Sequence, residues 1–543
     1  MNFDPAHLPY PSKRYPVYAR GGMVATSSAL ASEAGLEALR QGGNAVDAAV
    51  AAASCLTVTE PCSNGIGSDA FAVIWTDGKL CGLNASGRAP QNISIEKIKS
   101  LNGDIKKMPL NGWLPTMVPG APKAWAALAN RFGKLPLSKS MERAIHYARD
   151  GFPIPATMSA EFAKAAKRYD EAARSAGPNG ESIFGEWRKT FLPDGRVPKA
   201  GDVLTLKNHA ESLALIAETN SDVFYNGSLA DRIIADSNKF GGFFCKEDFS
   251  SYEVEWVEPV SINYMGYDIW EIPPNGQGVA ALLALNILKE FEFDTRDNAD
   301  TVHKQWEAMK IAFGDVLANV TDPRYMKEDY RKWLAPDYGK TRAMEITGKA
   351  AKPLNVSPPE GGTVYLATAD SMGNMVSYIQ SNYLSFGSGI VVRGTGIALQ
   401  NRGADFSLDP TAANALAPGK KSYHTIIPGF ITRDGKAVGP FGVMGGYMQP
   451  QGHVQVICNM IDFGLNPQQA LDAPRWQWMS GRLFHVEPAF NAELARALCE
   501  KGHEVTVSHD IPGFGRGQII IRQENNVLVG AAEGRTDSNI ACM

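Results

Sequence analysis

The 543-residue chain is notable first for what it lacks. No window approaches 18 uninterrupted apolar residues, so no membrane-spanning helix is expected. The start, Met-Asn-Phe-Asp-Pro-Ala-His, has no basic segment followed by an apolar core. No secretory signal is read there, and a cytoplasmic location is the expectation. Excess charge is missing too: 53 basic and 57 acidic residues are mixed along the chain and leave a net −4. Neither nucleic acid nor an acidic membrane surface is an expected partner. The seven cysteines are odd in number and form no CxxC pair, which favours reduced, mostly buried thiols over a disulfide framework. The nine histidines show no HxxxH or comparable spacing, so no metal site and no cofactor are expected. His424 and His453 lie close to the informative stretches and read as structural histidines. No repeat of 20–50 residues appears.

Apolar residues make up 44% of the chain, enough to bury a large core. Ala29–Gln41 reads as a helix capped by Ser27 and Ser28, and Ala45–Val58 as an alanine-rich helix packed on both sides. The glycine turn Asn64–Asp69 precedes a strand rather than following one, so it is not a dinucleotide fingerprint. A hairpin turning at Asp77-Gly78 returns through Leu80–Leu83. Residues 120–170 are largely helical and 176–202 read as surface loop. Helices follow at 207–219, 227–239, 279–291 and 299–319. The stretch 334–361 reads as a linker. Strands recur at 425–432 and 438–443, and Gly445-Gly446 opens a helix running to about Asp462. Helices flanking two blocks of mostly antiparallel strands indicate a large α+β globule.

The stretch around which the rest is organised is Pro359-Glu-Gly-Gly-Thr-Val-Tyr-Leu-Ala-Thr-Ala-Asp370. Two glycines end a flexible approach, and the β-rich run from Thr363 begins a strand. A hydroxyl there can attack the carbonyl of Gly362, where no side chain obstructs the bent backbone that the attack needs. Cleavage would leave Thr363 as a new amino terminus, with its amine beside its nucleophile. Asp370-Ser-Met-Gly-Asn374 is a turn, and Met375–Ser381 is the returning strand. A turn centred near Met372 sets Thr363 opposite Ser381, with Cβ atoms about 4.5–5.5 Å apart. Two readings are open: a cross-strand pair that only stabilises the sheet, or a second hydroxyl that orients a nucleophile.

With these residues laid out, the chain resembles the gamma-glutamyltranspeptidase family of N-terminal nucleophile hydrolases. The resemblance runs from Gly42-Gly-Asn-Ala-Val-Asp-Ala-Ala49 to Gly530-Ala-Ala-Glu-Gly-Arg535, through the Thr363 hairpin, Phe386-Gly-Ser-Gly-Ile390 and Met444-Gly-Gly446. It implies a four-layer αββα sandwich and a proenzyme. Cleavage at Gly362–Thr363 would give a large subunit, 1–362, and a small one, 363–543, that stay associated; further homo-oligomerisation is left open. It implies Thr363 as nucleophile, Ser381 in place of an assisting threonine, and Gly445 and Gly446 as the oxyanion-hole pair. Asp405 matches the carboxylate that holds a donor's α-amino group.

The departures from the family pattern concern recognition. The α-carboxylate arginine is replaced by Ser86, with Arg88 as the candidate substitute. Arg402 stands where a glutamine or glutamate assists Asp405. His424-Thr425 replaces a serine pair, Tyr383 replaces an asparagine, and 408–420 is shorter than the segment that lids transpeptidase sites. The implied activity is cofactor-free hydrolysis of γ-glutamyl or related acyl amides, including those that cephalosporin acylases accept. The rival is a relative that never matures and serves as a binding scaffold, which retention of Gly-Gly-Thr disfavours.

Overall fold

The protein is described by a computed structural model covering residues 9–10, 14–351 and 362–543. Pro358, Pro359 and Gly361, part of the flexible approach read above, lie outside the described residues.

Two seven-stranded sheets form the centre. From edge to edge, the first contains Asn539–Cys542, Gly22–Thr26, Gly362–Asp370, Met375–Tyr383, Asp69–Thr76, Lys79–Ala85 and Glu255–Val257. The second contains Val17–Ala19, Leu528–Ala532, Arg516–Arg522, Lys436–Met444, Gly429–Arg433, Tyr267–Glu271 and Val260–Tyr264. Every paired neighbour in both is antiparallel.

Alternation along each strand builds the layers, because successive side chains leave opposite faces of a sheet. On Gly362–Asp370, Tyr365, Ala367 and Ala369 face the second sheet and pack with Ile379, Phe430, Met444 and Ile520. Val364 and Leu366 face the other way, into a core with the helices Ala29–Arg40 and Ala45–Thr59. The second sheet is covered on its outer face by Gly278–Leu288, Ala299–Asn319 and Met448–Ile461. The result is the four-layer αββα sandwich. The sheets approach closely where Gly442 meets Tyr365: a Cβ on Gly442 would lie 2.4 Å from that ring.

Ala45–Thr59 is buried along its whole length, and its N-terminus carries a capping box of Asn44 and Asp47. Neither serine caps Ala29–Arg40 as expected. Ser28 makes no side-chain cap bond, and the Ser27 hydroxyl bonds Glu60 instead. A buried carboxylate is a stronger acceptor to satisfy than an exposed helix end.

Two loop readings are corrected. Within 176–202, Gly180–Phe191 is a helix whose Phe184, Trp187 and Phe191 are buried. Its glycines and charges disguise the apolar spacing, and packing overrides propensity. Trp187 and Phe191 close on Phe386, with ring centroids 5.3 and 4.9 Å away. Within 334–361, Pro336–Ala343 is also helical. Trp476–Ser480 and Leu483–Val486 form a small sheet with Glu504–Val507; the first two strands were not anticipated.

Candidate active site

Thr363 is the second residue of its strand and 1% exposed. The ladder with Met375–Tyr383 shifts register between Gly362 and Val364, so Thr363 sits at an irregularity that re-aims its side chain. Its Oγ1 lies 3.0 Å from the Ser381 Oγ. Ser381 donates to the Gly362 carbonyl at 2.8 Å and accepts the Tyr383 N–H at 2.8 Å. A hydroxyl has one proton, so with Ser381's committed to Gly362, the Thr363 hydroxyl is the donor to Ser381. The hairpin thus aligns two hydroxyls and the carbonyl of the preceding residue.

The strand Lys436–Met444 of the facing sheet ends at Gly445 and Gly446, which adopt φ of +140° and +60°. A side chain would be strained at either. Their carbonyls accept from Met448 and Gln449 as the helix begins, and Gln277 Nε2 donates to the Gly446 and Thr425 carbonyls at 2.8 and 2.7 Å. No acceptor among the described residues takes either glycine N–H. Gly445 and Gly362 line one cavity of about 300 Å³. Two free amides at a helix start suit a developing oxyanion.

Tyr383 leads from the hairpin into a buried charged cluster. Its O–H donates to Asp405 Oδ1 at 2.6 Å, and the Tyr447 O–H reaches the same oxygen at 3.4 Å. Arg402 Nη1 donates to Asp405 Oδ2 at 3.2 Å and to Thr425 Oγ1 at 2.8 Å. The Arg402 guanidinium lies 4.1 Å from the centre of the Tyr383 ring. Burial pushes the Asp405 carboxyl up, although Arg402 pulls it down. Arg402 is 1% exposed, and its Nε and Nη2 have no partner. A buried donor without an acceptor costs about 1–3 kcal/mol, and more when charged. These two are the unfilled valences of the cluster.

Of the residues singled out from sequence, the structure brings together Thr363, Ser381, Gly362, Arg402, Asp405 and Thr425, with Gly445 and Gly446 joined through Gln277 and the shared cavity. Arg88 is not among them. It pairs with Glu255 at 2.7 Å and Asp322 at 3.2 Å, and its Nη1 also donates to the Gly419 carbonyl. Ser86 is buried and donates to Asn84 at 2.7 Å, so neither it nor Arg88 offers a cation to the cluster. His424 is adjacent to the cluster but has no nitrogen to spare: Nε2 donates to Asp69 at 3.0 Å and Nδ1 accepts the Ile426 N–H. Burial, with Arg402 and Lys421 nearby, pushes its pKa well down and keeps it neutral. Burial pushes Asp69 up to about 7. His453 is buried against Glu271 at 2.6 Å.

Sequence reasoning missed Tyr447, Asp69 and Gln277 as parts of this arrangement. Tyr447 was within reach as the neighbour of the glycine pair. Asp69 opens a strand and Gln277 precedes a helix, and neither spacing carries a chemical signal. One group, His303, Glu307 and His503, has ligand atoms within 4.8 Å of one another. His303 Nδ1 and His503 Nε2 bond each other at 2.8 Å, His303 Nε2 bonds the Thr347 carbonyl, and the Lys310 ammonium sits 2.8 Å from Glu307. That cation and those bonds make it a hydrogen-bond chain rather than a ligand set.

The family model for gamma-glutamyltranspeptidase matches residues 31–543. The chain belongs to the gamma-glutamyltranspeptidase family. It is 36% identical over 528 residues to the glutathione hydrolase-like YwrD proenzyme of Bacillus subtilis, covering 95% of this chain and 97% of that one. It is 32% identical over 534 residues to the oxamate amidohydrolase proenzyme of Klebsiella pneumoniae, covering 96% and 98%. Among solved structures, the cephalosporin acylase from Bacillus halodurans superposes with a TM-score of 0.94 at 53% identity, over 100% of this chain and 99% of that one. The protein is thus a gamma-glutamyltranspeptidase-family enzyme, and the αββα sandwich is the N-terminal nucleophile fold.

Proposed function

We propose that the protein matures by cleaving itself between Gly362 and Thr363 and then hydrolyses amides whose acyl group carries a carboxylate but no α-ammonium, glutaryl amides being the model. In maturation the Thr363 Oγ attacks the Gly362 carbonyl carbon. Its proton passes to Ser381 as the Ser381 proton passes to the carbonyl oxygen. Collapse breaks the C–N bond as the proton on the former carbonyl oxygen passes to the departing Thr363 nitrogen, leaving an ester beside a free Thr363 amine; water then hydrolyses the ester to a Gly362 carboxylate and the Thr363 hydroxyl. In turnover that amine takes the Oγ proton as Thr363 attacks the substrate, and the Gly445 and Gly446 amides receive the oxyanion. The amine then protonates the departing nitrogen, and water releases the acid.

One observation carries the acyl preference. Asp405, the partner for an α-ammonium, is already engaged by Tyr383, Tyr447 and Arg402. The unpartnered Nε and Nη2 of Arg402 call for an anion. An arginine fork fits a carboxylate. The high identity to a cephalosporin acylase supports the same reading. The test compares kcat/KM for glutaryl and γ-glutamyl 4-nitroanilides on mature enzyme, with Thr363→Ala as the uncleaved, inactive control. Glutaryl should lead by at least about tenfold. A γ-glutamyl preference of a hundredfold, about 2.7 kcal/mol, would overturn the reading.

A further inference from the structure

The cavity bordered by Gly362 and Gly445 extends away from the nucleophile between the helix Ala156–Ser175 and the segment 508–516. Its charged lining is uneven. Lys164 pairs with Glu161 at 3.0 Å and Arg516 with Glu60 at 3.0 Å. Arg168 differs. Its Nε and Nη2 donate to the Asn111 amide oxygen at 3.1 and 2.7 Å, and its Nη1 reaches the Ser385 carbonyl at 3.4 Å. Those partners are neutral, and no carboxylate among the described residues lies within ion-pair distance of it. Beside it, Ser385 lines the cavity, and its hydroxyl is buried and without a partner. Tyr169 donates to the Ser385 and Gly387 carbonyls at 2.7 and 3.1 Å, which fastens the helix to this loop. An uncompensated guanidinium and a spare hydroxyl therefore stand together on a fixed wall.

We propose that this cavity receives the amine half of the substrate, and that Arg168, assisted by Ser385, selects amines bearing a carboxylate. The inference rests on the acyl half being held on the Arg402 side, since the two halves of an amide leave the reacting carbon in different directions. No new bond is involved: the C–N bond breaks, the nitrogen takes the proton held by the Thr363 amine, and the amine departs through the cavity. A carboxylate placed against Arg168 would exchange water for a charge-assisted fork in a partly enclosed space.

The test uses mature enzyme and four substrates: glutaryl and γ-glutamyl amides, each of 4-nitroaniline and of 3-carboxy-4-nitroaniline. The acyl comparison judges the function proposed above. The anilide comparison judges this inference, using whichever acyl group turns over faster, so the two fail separately. The ring carboxylate also alters leaving-group reactivity, so the deciding quantity is how the carboxylated-to-neutral ratio of kcat/KM changes on mutation. Arg168→Gln should lower that ratio about tenfold, mainly through KM; Arg168→Lys should recover part of it, and Ser385→Ala should lower it about threefold. A ratio that Arg168→Gln leaves within twofold of wild type would overturn the proposal, as would equal losses on both anilides.

Discussion

Arg402 and Arg535 are both buried arginines beside carboxylates, yet they differ in what is left over. Arg535 holds Glu487 bidentately through Nε and Nη2, each at 2.6 Å, and Glu533 through Nη1 at 2.7 Å. The Leu471 and Ala473 carbonyls take further donors. Arg402 uses Nη1 alone. The donors of Arg535 are spent on the fold, whereas Arg402 keeps two, Nε and Nη2, for the anion proposed above. The carboxylates beside them follow the same division. Burial raises Glu533, but Arg475 and Arg535 outweigh it and bring the group down to about 2. Around Arg402, burial prevails, and both Asp405 and Asp69 are raised. The first network is stabilised by ionisation, and the second carries charge at a cost that the proposed acyl carboxylate would offset.

The largest effect that can break this comparison is Arg535→Met. It strands Glu487 in the core and leaves Glu533 paired with Arg475 alone, and loss of one partner of a buried pair costs about 3–5 kcal/mol. Chemical unfolding should show that loss, and acid unfolding should change shape. With Glu533 near 2 folded and near 4.5 unfolded, its contribution is complete above about pH 4.5 and disappears as pH falls towards 2. The variant should show a smaller limb, because Arg475 still holds Glu533. Equal stability of variant and wild type would erase the distinction between the two arginines.

Arg402→Gln should do the reverse. A glutamine can still donate to Asp405 or Thr425, so the loss of stability should be about 1–2 kcal/mol. The kcat/KM for glutaryl amides should fall by about 10–100-fold, with γ-glutamyl amides affected far less. A loss shared equally by both donors would make Arg402 a structural group like Arg535.

The last effect sharpens the pH contrast. Asp69 is raised to about 7 from an ordinary 3.8, so its contribution to stability is complete below about pH 4 and declines as pH rises through 7. Asp69→Asn should flatten that decline, which a series of melting curves from pH 5 to 8 would show. The change should be on the order of a few kcal/mol at most, at 1.36 kcal/mol per pKa unit. A steeper decline in the variant would reverse the assigned sign.

The reading of the hairpin and the reading of the pocket succeeded to different degrees for a physical reason. Thr363 and Ser381 belong to strands joined by a short turn, so their contact follows from register, a local property. Arg88 was a candidate because it lies two residues from Ser86, but proximity in sequence does not fix direction. Its side chain turns to Glu255 and Asp322, which are distant in sequence. The helix Gly180–Phe191 escaped detection for a related reason: its apolar face makes sense only beside Phe386.

By itself the sequence determined the antiparallel hairpins, the long buried helices, the glycine pair and the hydroxyl at the head of its strand, because each depends on nearest neighbours along the chain. Departures such as Tyr383 and Arg402 also marked from sequence where recognition would differ from the family pattern. Only the tertiary structure decided how those side chains are engaged. Whether Arg402 repels an ammonium, attracts a carboxylate or neutralises a neighbour depends on which oxygen atoms surround it. Those atoms come from Asp405 and Thr425, and the tyrosines that hold Asp405 lie on separate strands and turns. Charge is written in the sequence, but the number of donors a buried charge has left is a property of the packed interior.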